Sequence, residues 1–414
     1  MKQKICIFTG SRADYGLLCP LLFELRQDPA VELQTLVTGM HLSPEFGLTY
    51  REIEKDGFPI SEKVEILLSS DSPEGIGTSL GLGVIGCSGA LARLRPDILV
   101  ILGDRFEALA AAVAAMIARI PIAHLHGGEA TQGLIDEPIR HSITKMSHLH
   151  FVATETYRRR VIQLGEDPST VFNFGAIGLD NLRRIPLLGK AELEKSLDFR
   201  FGARTALVTF HPVTLENASA AAQFTQLLAA LGRFDSLHVL FTKTNADTEG
   251  REINRLIDAY VRSHPETSAA FSSLGQQRYL SALKHVDVVV GNSSSGILEA
   301  PSLGTPTVNI GDRQKGRIKA ASVLDCAPTE EEIAATIGRA LSKELKIAAQ
   351  SVDNPYEGQD TARKIKEVLK TACPVDLKKA FHDLNAGTPR DVDAKREKDH
   401  PSSDRDHQGS HRDD

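Results

Sequence analysis

Short apolar runs rich in β-branched residues alternate along the chain with longer stretches of helical periodicity. ICIFTG (5–10) reads as a buried strand and is followed by a helix from about Tyr15; VELQTLVTG (31–39) reads as a second strand. DILVILG (97–103) and IPIAHLH (120–126) are two more, separated by an alanine-rich helix at 106–118. A second series starts after Phe201 with TALVTF (205–210), LHVLFT (237–242), VDVVVG (286–291) and TPTVNIG (305–311), again with helices between. Strand–helix alternation predicts parallel sheets with crossover helices. Two such series predict an α/β chain of two doubly wound domains, 1–185 and 200–365, facing each other across a cleft. The linker falls within LLGKAELEKSLDFRFG (187–202), and a C-terminal helix is expected at 366–381. Residues 382–414 are nearly all polar and bury too little apolar surface to repay ordering, so a disordered tail is expected there.

Composition changes this picture little. The 414 residues are 41% hydrophobic and 25% charged, as in an ordinary globular protein. A net charge of −6 argues against a general nucleic-acid binder. Five scattered cysteines without a C-x-x-C pair read as reduced thiols, which points to a cytoplasmic setting. The most membrane-like stretch, ALAAAVAAMIARIPIAHL, is broken by Arg119 and Pro121, and no membrane partner is expected.

In parallel sheets, ligands bind beyond the carboxyl ends of the strands. Those ends carry the polar residues of this chain. Ser11, Arg12 and Asp14 follow the first strand, Asp104 and Arg105 follow 97–103, and GGEATQGLIDEPIRH follows 120–126. His211 follows 205–210, NSSSGILEAPSLG follows 286–291 and DRQKGR follows 305–311. GNSSSGILEA joins a strand to a helix start near Ser295 through a small-residue loop whose backbone N–H groups suit a diphosphate. Glu299 stands one turn further on to accept from a ribose. Arg313, Lys315 and Arg317 lie in reach of the same phosphates, Arg313 foremost as a fork donor. IDEPIRH opens a helix with Asp136 near its cap, where it serves as a cap or as an acid, and Arg140 one turn on as its partner. GLGVIG (81–86) matches G-x-G-x-x-G but sits in a helical pattern with no strand before it, so it is no dinucleotide fingerprint. His124-x-His126 lacks the further ligands a metal needs, and no metal or other cofactor is expected.

TGSRADYG, LGDRFEALAAA, HLHGGEATQGLIDEPIRHSITKMSHLHF, FHPVT and GNSSSGILEAPSLGTPTVNIGDRQKGR together resemble the hydrolysing UDP-N-acetylglucosamine 2-epimerases, over roughly residues 4–370. The branch feeding bacterial sialic-acid and legionaminic-acid synthesis is the most similar. The resemblance implies two Rossmann-like domains of glycosyltransferase-B type, no cofactor, a UDP-sugar substrate and a homo-oligomer. It also implies conversion of UDP-GlcNAc and water into UDP and N-acetylmannosamine. By resemblance, Arg12, His211, Ser293, Ser294 and Arg313 line the diphosphate and Glu299 holds the ribose, with His41, Arg105, Ser295 and Gly296 as further substrate contacts. Asp104 and Asp136 match the family's acid positions, and His211 is counted with them as a catalytic candidate.

The C2 proton of the sugar is hardly acidic, so its removal requires C1 to become oxocarbenium-like as UDP departs. Hydration of the resulting 2-acetamidoglucal then delivers a proton to the opposite face, which calls for at least two proton-handling groups. One position departs from the family pattern. Many relatives carry Glu at the third position of H-x-E-G-G, whereas this chain has His126, with Glu129 three residues later. Either residue is a candidate acid–base group. UDP-N,N'-diacetylbacillosamine is the alternative substrate; a glycosyltransferase on the same scaffold and a non-catalytic UDP-sugar sensor are the competing readings.

Overall fold

The continuous apolar runs become the central strands of two parallel sheets. The computed structural model describes residues 2–68, 70, 72–132, 134–212, 220–244 and 250–384. The first sheet holds β1 (Gln3–Thr9), β2 (Val31–Thr38), β3 (Glu62–Val64), β4 (Ile98–Leu102), β5 (Ile122–Leu125), β6 (Leu149–Val152) and β7 (Val171–Asn173), in the order β3-β2-β1-β4-β5-β6-β7. The second holds β8 (Arg204–Thr209), β9 (Leu237–Thr242), β10 (Ser268–Phe271), β11 (Val288–Gly291), β12 (Thr307–Ile310) and β13 (Val323–Cys326), in the order β10-β9-β8-β11-β12-β13. The two doubly wound sheets are thus those the sequence leads one to expect. The strands not foreseen are short or lie toward the sheet edges: β3, β6, β7, β10 and β13 have three or four residues each.

Each sheet is sandwiched between helices, so its central strands are apolar on both faces. Ile5, Ile7, Val100 and Leu125 point to one core of the first sheet; Cys6, Ile101 and Ile122 point to the other. Val208, Val239, Val288 and Val308 do the same work in the second sheet. Truncating one such Val, Leu or Ile to Ala costs roughly 2–5 kcal/mol.

Strand order reverses between β1 and β4, and again between β8 and β11. At such a switch point the crossovers leave in opposite directions and a crevice opens beyond the strand ends. Gly291 makes the second one possible. Its φ is +135°, and a Cβ there would lie 1.9 Å from the Thr209 carbonyl oxygen, so no side chain fits where β11 meets β8.

Three helical expectations shift. The first-domain helix starts at Arg12 and runs to Gln27, with Ser11 as its cap. The stretch expected to hold the linker contains a helix, Lys190–Leu197, whose Leu193 and Leu197 pack with Phe199, Phe201 and Leu207 against the second sheet. The C-terminal helix is Thr361–Ala372 rather than 366–381, because it stops before Cys373-Pro374 and the chain then continues without helix. That helix returns to the first domain, where Ala362, Ile365 and Leu369 join the core around Ile5 and Lys370 pairs with Asp28. The two chain segments that pass between the sheets lie side by side: Ala176 N donates to Tyr356 O at 2.8 Å and Arg183 Nη1 to Gly358 O at 2.8 Å. His382–Leu384 belong to no helix or strand, and the remainder of the expected disordered tail, 385–414, lies outside the described residues.

GLGVIG lies within the helix Pro73–Leu94, away from any phosphate-binding context. Two of its glycines serve packing: a Cβ on Gly83 would meet Ala110 at 2.8 Å, and one on Gly86 would meet Val64 at 2.3 Å. By length and composition, this helix rather than the 108–125 stretch is apolar enough to cross a membrane.

Candidate active site

The ends of β4 and β5 are neighbours, Leu102 pairing with Leu125, so Asp104 and His126 emerge side by side. His126 takes a left-handed conformation, φ +66°, a strained geometry for a residue with a side chain and frequent at functional sites. Gly128, two residues on, is also left-handed, and a Cβ there would lie 2.5 Å from the Tyr157 carbonyl oxygen. This tight turn brings Glu129 back onto His126, with Glu129 Oε1 2.8 Å from His126 Nδ1. A carboxylate only accepts, so Nδ1 carries the proton and Nε2 keeps its lone pair in the neutral ring. Nε2 is buried and makes no bond within the described residues.

Glu129 is itself pinned. Burial would raise its pKa, but Arg317 at 2.7 Å, His126 and Arg140 together hold it down at about 2. Arg140 is the hub of the cluster. Expected beside Asp136, it pairs with Glu137 at 2.6 Å, reaches Asp104 and Thr131, and donates to the Glu129 carbonyl at 2.8 Å. Burial opposes its charge, but Asp104, Glu129 and Glu137 more than offset that. Glu137 in turn is kept at about 2 against its own burial, by His141, the Thr131 N–H and Arg140. Asp136 is the first residue of the Asp136–Met146 helix rather than its cap; Ile135 stands in the cap position and makes no side-chain cap bond. Arg105 precedes the Phe106–Ile117 helix and pairs with the buried Glu107 at 3.2 Å.

Across the cleft, His211 and Asn292 tie the ends of β8 and β11 together. His211 N donates to Asn292 Oδ1 at 2.7 Å and Asn292 Nδ2 returns a bond to His211 O at 2.8 Å. The His211 ring meets Thr244 at 2.9 Å; Val213 and Thr214 of the FHPVT motif lie outside the described residues. The serine loop is shorter in helix than expected. Ser295–Leu298 is a single turn capped by Ser294, and Ser293 Oγ accepts from Ser295 N at 3.4 Å. Gly296 packs under β12, where a Cβ would lie 2.7 Å from Thr307. Glu299 ends this turn with Oε2 buried and unpartnered, and burial raises it to about 7. Arg313 Nη1 donates to Asn292 O at 3.2 Å, which places the guanidinium against the same loop. Arg12 spans the cleft from the first domain to Ser272 O at 3.3 Å.

The structure thus gathers Asp104, His126, Glu129 and Asp136 on one wall and His211, Ser293, Ser294, Ser295, Gly296, Glu299 and Arg313 on the other. It sets His41 apart. That ring is fully buried, with Nε2 2.9 Å from Thr9 Oγ1 and Nδ1 2.8 Å from Thr49 Oγ1, and burial lowers it to about 4. His41 therefore holds the β2 turn and has no nitrogen left for a substrate. His124 is likewise a neutral core residue, bonded to Gly103 O at 2.8 Å and to Thr144 at 3.1 Å. Among the described residues, no three His, Cys, Asp or Glu side chains come together as metal ligands.

Sequence reasoning passed over Tyr279, whose hydroxyl bonds Ser295 and is held protonated, at about 12, by burial. Its only signal was a lone aromatic in a polar helix, Gly275–His285. The central part of Arg140 was also missed, although the D-E-x-x-R spacing places an arginine over the first helical turn.

Two facing switch points, one charged and one lined with small donors, make this a two-domain α/β protein whose polar groups converge beyond the strand ends. Residues 23–370 match the family described as UDP-N-acetylglucosamine 2-epimerase. The chain is similar to a Campylobacter jejuni protein named GDP/UDP-N,N'-diacetylbacillosamine 2-epimerase (hydrolyzing), 44% identical over 78% of this chain and 84% of that one. It is 36% identical to a Legionella pneumophila UDP-N,N'-diacetylbacillosamine 2-epimerase (hydrolyzing), over 90% of this chain and 96% of that one. The solved Neisseria meningitidis UDP-GlcNAc 2-epimerase bound to UDP-GlcNAc has the same fold, with a TM-score of 0.75 at 16% identity over 89% of this chain and 100% of that one. The protein belongs to the UDP-N-acetylglucosamine 2-epimerase family, as an enzyme of the hydrolysing UDP-sugar 2-epimerase type with a glycosyltransferase-B fold.

Proposed function

We propose that the protein cleaves a UDP-2-acetamido sugar to UDP and the free 2-epimer, by anti-elimination to a 2-acetamidoglucal followed by hydration. The observation that carries this is the pairing of Asp104 and the His126–Glu129 dyad at adjacent strand ends, opposite the serine loop. Asp104, paired with Arg140, takes the C2 proton as the C1–O bond to UDP breaks. Ser293, Ser294, His211, Arg12 and Arg313 stabilise the departing diphosphate, where charge develops. Water then adds at C1 while a proton reaches C2 from the other face. His126 Nε2 takes a proton from the water with its free lone pair and passes it to C2, with Asp136 at the helix start beside it, and Asp104 returns the proton it took to solvent. Glu129, already bonded on both oxygens, orients His126 rather than transferring the proton.

For the sugar we favour UDP-N,N'-diacetylbacillosamine over UDP-N-acetylglucosamine, reversing the order expected from the sequence. The names of the Campylobacter and Legionella relatives support this choice. The test is proton NMR with each UDP-sugar in deuterated water. Free UDP with a 2-epimer deuterated at C2 is expected, faster from the bacillosamine derivative. Intact UDP-sugar in both tubes overturns the assignment.

A further inference from the structure

Arg317 comes from the second domain, yet its side chain ends in the first domain's acid cluster. Its Nη2 lies 2.7 Å from Glu129 Oε2, while His126 Nδ1 lies 2.8 Å from Oε1 of the same carboxylate. All three side chains are nearly inaccessible, with exposures of 11, 2 and 9% for Arg317, Glu129 and His126.

The loop that carries Arg317 is fastened to its surroundings on either side of it. Ile318 N donates to the Tyr157 hydroxyl at 3.2 Å, and the Tyr356 hydroxyl donates to Ile318 O at 2.9 Å. Gln132 N donates to Lys315 O at 3.3 Å, and Gly316 sits so close that a Cβ would lie 2.8 Å from that of Ala130. Lys315 itself turns outward to Asp312, at 2.7 Å. Arg317 therefore reaches Glu129 only while this loop is docked against the first domain.

A carboxylate bonded once, to an imidazole, still rotates and lets the ring follow. A second, charge-assisted bond on its other oxygen removes that freedom. The geometry points to Arg317 as a positioning residue that grips Glu129 from the second domain, so that Glu129 aims His126 Nε2 into the cleft. This rests on the reading of His126 as a proton-handling group given above. Arg317 touches no reacting atom in this arrangement. It makes the hydration half of the acid–base centre complete only when the two domains are docked, so that the 2-acetamidoglucal is hydrated only inside the docked site. The role differs from the one the sequence suggests, a phosphate contact beside Arg313.

Three measurements separate the two roles. In steady-state UDP release, Arg317→Ala is expected to lower kcat by about 10- to 100-fold, the usual loss when an orienting partner is removed. Calorimetry is expected to give a UDP Kd within about threefold of the parent, because binding energy is not what an orienting contact supplies. Arg317→Lys keeps the charge and recovers part of kcat. The double variant Arg317→Ala/Glu129→Gln falls no further than Glu129→Gln alone, because the arginine acts through that carboxylate. An unchanged kcat with UDP affinity reduced tenfold or more, or losses that multiply in the double variant, overturns the proposal and puts Arg317 at the diphosphate.

The third measurement needs no turnover. Long-range ¹⁵N–¹H spectra of the histidine-labelled full chain, with His126 assigned by His126→Gln, are expected to show one Nδ1–H tautomer in the parent and a mixture in Arg317→Ala. An identical His126 signal in both overturns the proposal. Arg317→Lys serves for the spectra should the alanine variant fail to fold. If the parent protein turns over neither UDP-sugar, the functional reading above fails, and the His126 spectra decide the positioning role by themselves.

Discussion

The wall of the cleft built on the first sheet is charged and internally tied, whereas the wall built on the second is mostly neutral and spare. Two glutamates show the contrast. Glu129 and Glu299 are both buried at the same cleft, but two arginines and the His126 N–H hold Glu129 ionised, at about 2, while burial prevails at Glu299 and lifts it to about 7. The first wall prepares protonation states in advance, which proton transfer requires. The second offers hydroxyls and N–H groups at fixed positions, which suffices to receive an anion that brings its own charge.

The largest effect is expected where the charged wall meets the sugar. Asp104→Asn should lower kcat by about 10³–10⁴-fold while UDP affinity moves only a fewfold; loss of UDP binding instead, measured by calorimetry, would erase the distinction between the walls. Arg140→Met leaves Asp104, Glu137 and Glu129 without their shared cation. It should cost about 3–5 kcal/mol of stability, read as a fall in the denaturant midpoint. On the spare wall, Arg313→Ala should weaken UDP binding by about 10- to 100-fold with the fold intact.

A pH comparison sharpens the contrast further. Glu299 has a raised pKa, so the stability of its neutral form is fully present below about 4.5 and is lost as pH rises through about 7. Glu299→Gln should therefore match the parent at pH 4.5 and exceed it by roughly 2–3 kcal/mol at pH 8 in urea titrations. Glu129 has the opposite sign: its contribution is present above about 4.5 and is lost as pH falls toward 2. Glu129→Gln should accordingly be destabilising at pH 7 and nearly neutral at pH 2.

The same contrast decides what was legible in the sequence. The central strands were readable because strands buried on both faces must be continuously apolar, as ILVIL and ALVT are. The edge strands EKV and VFN carry no such constraint and were missed. At the site, the neutral wall could be read from one contiguous segment, NSSSGILEA, because a strand–loop–turn keeps its donors local. The charged wall could be named but not wired. Arg140 bonds Asp104, 36 positions away, and Glu129 bonds Arg317, 188 positions away, and no spacing rule reaches so far. His41 was misleading for a related reason. A histidine at a strand end looks available, but two threonines, one on the preceding strand and one on the following turn, have already taken both nitrogens.

The helix Thr361–Ala372, which returns to the first domain, bears on how the cleft works. A lobe attached by one thread swivels freely, but this one is attached by two threads that run side by side, held by the bonds from Ala176 to Tyr356 and from Arg183 to Gly358. Such an attachment resists twisting of one lobe against the other more than a single thread would. The guanidinium of Arg317, carried on the second lobe, is thereby held in register with Glu129 on the first. A single peptide cut between Tyr356 and Thr361 would sever one of the two threads and leave the register of the lobes to the other.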